Sequence, residues 1–203
     1  MQRRELLKMI MAATGVAMVG NSAFAYVLKS PVPLTDTVFN QGDVDLFNDI
    51  AERILPRTDT PGAKDANVGL MALILANDCY SKTERDAFIV GFNSINTQCQ
   101  ARFGKGFSSL SISEQNAFLQ DLGQAASVYN KKQDLYYLST APFDKNRDST
   151  DPTPHYFTLI KQLTIFTFFT SKVGATEALR YEAIPGKYNG ELDYKKGDRA
   201  WAT

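Results

Sequence analysis

Histidine, cysteine and tryptophan are nearly missing from this 203-residue chain, which has one His, two Cys and one Trp. Each shortage excludes a chemistry. A single histidine, His155, rules out paired-His zinc motifs and di-iron bundles built on two histidines. Two isolated cysteines cannot hold an iron–sulfur cluster alone, and no Cys-x-x-Cys-His is present to attach a c-type haem. No G-x-G-x-x-G follows a strand pattern, since Gly104-Lys105-Gly106 sits at a helix end, and no G-x-S-x-G elbow occurs. Charge of one sign is also lacking. Lys and Arg total 22 against 22 Asp and Glu, with no basic block, so nucleic acid is not an expected partner. The chain shows no internal repeat and no low-complexity tract.

What is present begins with a leader. Residues 2–8, QRRELLK, resemble the twin-arginine (Tat) export signal, with Arg3-Arg4 followed by an apolar pair and Lys8. The apolar run Met9–Gly20 is well short of the roughly 18–20 residues needed to span a bilayer. It is followed by Ala23-Phe24-Ala25, a small-x-small cleavage site, so Ala23 and Ala25 place the cut after residue 25. Residues 1–25 are thus expected to be a signal peptide and the mature protein to be periplasmic. Removing them takes away Arg3, Arg4 and Lys8 against Glu5, which turns a formal charge of 0 into −2. Proteins using that route cross the membrane folded, often with a cofactor in place, which raises the question of what this chain carries.

The mature part, 26–203, reads as an all-α, compact bundle of about five helices with an irregular C-terminal extension. Val44, Phe47, Ile50 and Ile54 mark the first helix, ended before Pro56. The second, from Asp65 through Tyr80, is apolar on most sides and so central. Ser81-Lys82-Thr83-Glu84 is a capping box for the third, which ends at Gly104. Ser113 is the expected cap of the fourth, with Phe118, Leu122, Ala125 and Tyr129 on one face. Thr153-Pro154 starts the fifth, with Tyr156, Ile160, Leu163, Phe166 and Phe169 as its stripe. Cys79 closes one helix while Cys99 lies about 25 Å along the next, beyond the ~7 Å reach of a disulfide. Cys99 falls on the stripe Phe88, Phe92, Ile95, Cys99, Phe103 and reads as a small core hydrophobe.

Three irregular segments stand out. The first is 55–68, where Pro61-Gly62 suits the centre of a type II turn and Asp59 and Asp65 serve the turn and a helix cap. The second is a polar linker from about Asn130 to Pro152. The third is the tail, 180–203, with Pro185-Gly186 and the aromatics Tyr181, Tyr188, Tyr194 and Trp201. Tyr and Trp are enriched at interface hot spots, but such a tail can equally fold back over its own helices. Catalytic candidates are sparse. His155 would need an orienting carboxylate, for which Asp151 is nearest in sequence, and a hydrogen-bonded structural role is the stronger reading. Asp43, Asp45 and Asp49 lie on the polar side of the first helix and read as solvated.

The segments ERILPRTDTPGAKDANV (52–68) and TSKVGATEALRYEAIPGKYNG (170–190), together with the leader and the helical middle, resemble the gluconate 2-dehydrogenase subunit 3 family. These are small subunits of membrane-bound, flavin-dependent sugar and polyol dehydrogenases. The resemblance implies no catalytic, cofactor or metal residue in this chain. It implies a large subunit of the glucose–methanol–choline (GMC) type that carries FAD, and in some complexes a multihaem cytochrome c that carries haem. It also implies that the folded flavoprotein, lacking a signal of its own, crosses the Tat translocase on this leader as a hitchhiker, and that the complex sits in the periplasm at the inner membrane. Pro61, Gly62, Tyr181, Pro185, Gly186, Tyr188, Tyr194 and Trp201 are then the candidate interface residues. The alternatives are a stand-alone ligand-binding protein, with the second and fifth helices lining a pocket, and an enzyme built on His155.

Overall fold

The computed structural model describes residues 34–135, 152–184, 186 and 190–202. The chain divides into a segment ending at Asp36, of which the short 3-10 turn Leu34–Asp36 is described, and a unit spanning Thr37–Thr203. That second unit holds five long helices: α1 (Gln41–Ile54), α2 (Val68–Asp78), α3 (Lys82–Phe103), α4 (Ile112–Lys132) and α5 (Tyr156–Phe169). The described residues contain no β-strand, and the expected all-α bundle with an irregular C-terminal extension is what forms.

Local chemistry starts three of these helices. Asn40, Ser81 and Ser111 each accept the backbone N–H three residues on, while Asp43, Glu84 and Glu114 reach back to the cap's own N–H. Such reciprocal boxes satisfy two orphan donors at a helix start. The cap of α4 is therefore Ser111 and not Ser113, whose third neighbour, Asn116, carries no carboxylate to complete a box as Glu114 does for Ser111. At the far end of α3, Gly104 takes φ 72°, the left-handed conformation that glycine adopts without steric cost.

The start of α2 is tertiary, and that of α5 joins a local cap at His155 to a tertiary bond. Helix α2 begins at Val68 and not at Asp65, and Asn67 before it makes no cap bond of its own. Instead Asn48 of α1 accepts from Gly69 N at 2.8 Å and donates to Asn67 Oδ1 at 2.7 Å. Gly69 permits this approach, because a Cβ there would lie 2.5 Å from the Val44 carbonyl oxygen. Helix α5 starts after His155, two residues later than Thr153-Pro154 suggests. The His155 N–H is drawn to Asn130 Oδ1 at 2.9 Å, and its ψ of 138° is not helical.

Helix α5 packs on α1, α2, α3 and α4 and is the hub of the bundle. Around it, Phe47, Phe88 and Phe92 are fully buried, with Phe88 and Phe92 stacked at 5.7 Å and Phe39 edge-on to both. Each such ring contributes about 1.5–3 kcal/mol by leaving water. Cys99 is buried on this stripe as expected, and its burial pushes the thiol pKa up to about 11. Gly91 lets α3 meet α5 closely, since a Cβ would sit 2.0 Å from Tyr156 Cγ. The inward face of α5 is Phe157, Leu159, Ile160, Leu163, Thr164, Thr167 and Phe168, while Phe166 and Phe169 are exposed. The buried threonines are tolerated because Thr164 and Thr167 donate to the carbonyls of Ile160 (2.9 Å) and Leu163 (2.6 Å). A rotated face also occurs in α4, where Leu119 and Ala126 turn inward in place of Ala125 and Tyr129.

Candidate partner-binding surface

The 55–68 segment is tied back onto the end of α1, with Gly62, Ala63 and Val68 buried and residues 56–59, 64, 65 and 67 exposed. Glu52, at the end of α1, accepts the backbone N–H groups of Arg57 (2.9 Å) and Lys64 (3.0 Å). Asp65 accepts Gly62 N at 2.8 Å and Arg57 Nε at 2.8 Å, and a second guanidinium nitrogen completes a bidentate pair. Ala63 N closes onto the Leu55 carbonyl at 2.9 Å. Arg57 and the Gly62 amide hold the Asp65 carboxyl below the usual carboxylate range. Gly62 is buried, and a Cβ on it would lie 2.5 Å from both Arg57 N and Glu52 Oε2. Its φ is not positive, so the type II turn expected of Pro61-Gly62 does not form. The glycine is needed here for close approach, not for handedness. Pro61 is half-buried beside it.

The tail behaves differently. After the π-helical turn Gly174–Ala178, Arg180 pairs with Trp201 in an isolated parallel bridge. Arg180 N donates to the Ala200 carbonyl at 2.8 Å, and Ala202 N donates to the Arg180 carbonyl at 2.7 Å. The Arg180 guanidinium lies 4.5 Å from the Trp201 ring centre, a cation–π contact, and Arg199 donates to the Glu177 carbonyl at 2.7 Å. This neck closes a long loop. Every described residue from Tyr181 to Trp201 is exposed, including Tyr181, Ile184, Gly186, Leu192 and Tyr194. Gly186 takes φ 62°, the left-handed value that a Pro-Gly turn asks of glycine. Thus Tyr181, Gly186, Tyr194 and Trp201 share one exposed loop, while Pro185 and Tyr188 lie outside the described residues, as do Arg3, Arg4, Ala23 and Ala25. Sequence reasoning missed Arg180 as the clasp, and Ile184 and Leu192 as apolar surface. No local signal marks Arg180, because its partner is 21 positions on.

Elsewhere, His155 is a helix cap. Its Nδ1 accepts from Phe157 N at 3.2 Å, and its ring leans on Tyr156 and Tyr129 with centroids at 4.4 and 5.6 Å. Burial holds the imidazole below its ordinary range, so it stays neutral, as an accepting Nδ1 requires. Asp151, its proposed orienting partner, lies outside the described residues. Helices α2 and α5 pack directly on each other, and the surface grooves along α5 lie between it and α4 or the end of α1, with no α2 residue in their lining. Among the described residues no cluster of three or more His, Cys, Asp or Glu could hold a metal ion. Among them, too, no helix is long and apolar enough to cross a membrane.

The family model of gluconate 2-dehydrogenase subunit 3 matches residues 41–186. The match begins at the first residue of α1 and takes in both Pro-Gly segments and Arg180, ending short of Tyr194 and Trp201. No curated protein and no solved structure matches the chain. With the helical unit covered almost from end to end, the chain belongs to the gluconate 2-dehydrogenase subunit 3 family, an accessory subunit of a dehydrogenase complex.

Proposed function

We propose that this chain binds the FAD-bearing, GMC-type large subunit of a sugar dehydrogenase, stabilises its folded state, and carries it through the Tat translocase on its own leader. The observation that carries this reading is the tail, a loop clasped at Arg180 and Trp201 that leaves its aromatic and aliphatic side chains in water. Exposed Tyr and Trp on a loop with an anchored neck suit a partner surface, because little order has to be gained on binding. A protein that binds only the folded state of its partner stabilises that state by mass action and needs surface area, not an active site. FAD then belongs to the large subunit and haem c to a cytochrome subunit where one is present. The complex works in the periplasm at the inner membrane.

The test is to delete residues 181–203 and recover the tagged chain from periplasm and solubilised membrane. Co-purified flavin absorbance should fall about tenfold, in line with loss of a hot-spot surface, while the helical unit keeps its circular dichroism and melting temperature. Undiminished flavin recovery would overturn the role given to the tail. An intact wild-type chain that recovers no flavoprotein at all would overturn the whole reading.

A further inference from the structure

A shallow groove runs between α4 and α5 and continues to the C-terminal end of α1, with Gly123, Phe157 and Lys161 common to both of its halves. Its lining holds two cations, Arg53 and Lys161, and no carboxylate. The nearest acids of α1 are engaged elsewhere, Asp49 with Lys64 and Glu52 with the backbone of the 55–68 segment. Among the described residues neither Arg53 nor Lys161 forms a salt bridge. Glu52 keeps its charge beside Arg53, since backbone amides do not neutralise it, but it lies outside the lining, whose own charged groups are both cations.

The shape narrows the occupant. On α4 the lining runs from Asn116 to Asn130, which at 1.5 Å per residue is about 21 Å, or close to four helical turns. The middle of that wall is made of the small residues Gly123, Ala126 and Ser127, with Asn116, Leu119 and Gln120 before them and Asn130 after. Phe157 and Ile165 supply apolar contact along the floor and the opposite wall, and Ile165 is 44% exposed. An apolar floor flanked by two cations outside any salt bridge is complementary to an amphipathic helix that has acidic residues beside its apolar stripe.

We propose that this groove docks an acidic amphipathic helix of the dehydrogenase's large subunit, a second contact beside the tail. The inference rests on the partner reading above. Two linked contacts would hold the partner far more tightly than either alone, because the second forms at high effective concentration.

The experiment places a photo-crosslinking residue at Gln120, which is exposed and lines the groove, in the full chain expressed with its dehydrogenase. The expected product joins Gln120 to an Asp- and Glu-rich helical peptide of the large subunit. The pair Arg53→Glu and Lys161→Glu should lower retained dehydrogenase about tenfold, and Lys161→Gln, the milder variant, should flatten the loss of retention with salt. A crosslink to residues 136–151 of this chain, to phospholipid, or to nothing, with dehydrogenase still retained, overturns the groove and leaves the partner reading standing. A wild-type chain that retains no dehydrogenase removes both.

Discussion

Between Leu55 and Val68 two carboxylates tie down the backbone and Gly62 and Ala63 are buried, whereas between Tyr181 and Trp201 every described residue faces water. Both segments carry a Pro-Gly pair and look alike as sequence. In the first, the carboxylates of Glu52 and Asp65 take up three backbone N–H groups, and the glycine is buried because nothing larger fits. In the second, order comes from the neck, and Gly186 is chosen for its left-handed φ in open surroundings. The dipeptide therefore marks a change of direction and says nothing of whether the turn serves the fold or a partner. Burial decides that.

The tail deletion tests the outward segment; its inward counterpart is Gly62→Ala. A methyl group 2.5 Å from Arg57 N must displace backbone, which should cost about 2–3 kcal/mol. That corresponds to a melting temperature lower by roughly 5–10 °C in thermal unfolding followed by circular dichroism. A melting temperature within a degree of wild type would erase the contrast. Glu52→Gln comes next, because an amide replaces a carboxylate that accepts two backbone donors, at a cost of about 1–2 kcal/mol in urea unfolding.

Acid should separate the two segments more finely. The Asp65 carboxyl is lowered by Arg57 and by the Gly62 amide, so its stabilising effect is complete above the ordinary value of 3.8 and disappears as pH falls through the lower folded value. The Gly62 amide resonance should titrate with a midpoint below 3.8, and Asp65→Asn should abolish that titration. A midpoint at or above the ordinary value would mean that Arg57 does not hold the carboxylate in solution. The smallest effect belongs to Gly186→Ala. Forcing alanine to φ 62° costs about 1 kcal/mol locally, and the melting temperature of the bundle should not move, since the loop adjusts without opening the core.

Much of the scaffold was legible because its signals are short-range. Ser81 and Glu84 define the start of α3, and Gly104 its end, within a single turn of chain. The Phe88–Cys99 stripe follows from the 3.6-residue period alone. The outward face of α5 was hard to read, because Leu, Ile, Phe and Thr ring the helix and Lys161 with Gln162 are its only strongly polar side chains. The clasp at Arg180 was hidden for another reason, since its bridge to Trp201 joins two stretches without strand pattern across a long loop.

By itself, the sequence determined the helical class, the boundaries of α3 from its capping box and Gly104, the core role of Cys99 and the family to which the chain belongs. Only the tertiary structure decided that Asn48 caps α2, that Gly62 is buried while Gly186 is exposed, and that Arg53 and Lys161 share a groove free of carboxylates. The first group depends on residues within one or two helical turns, where covalent connection fixes the distance. The second depends on residues from different helices and distant loops, whose distances are set by packing alone.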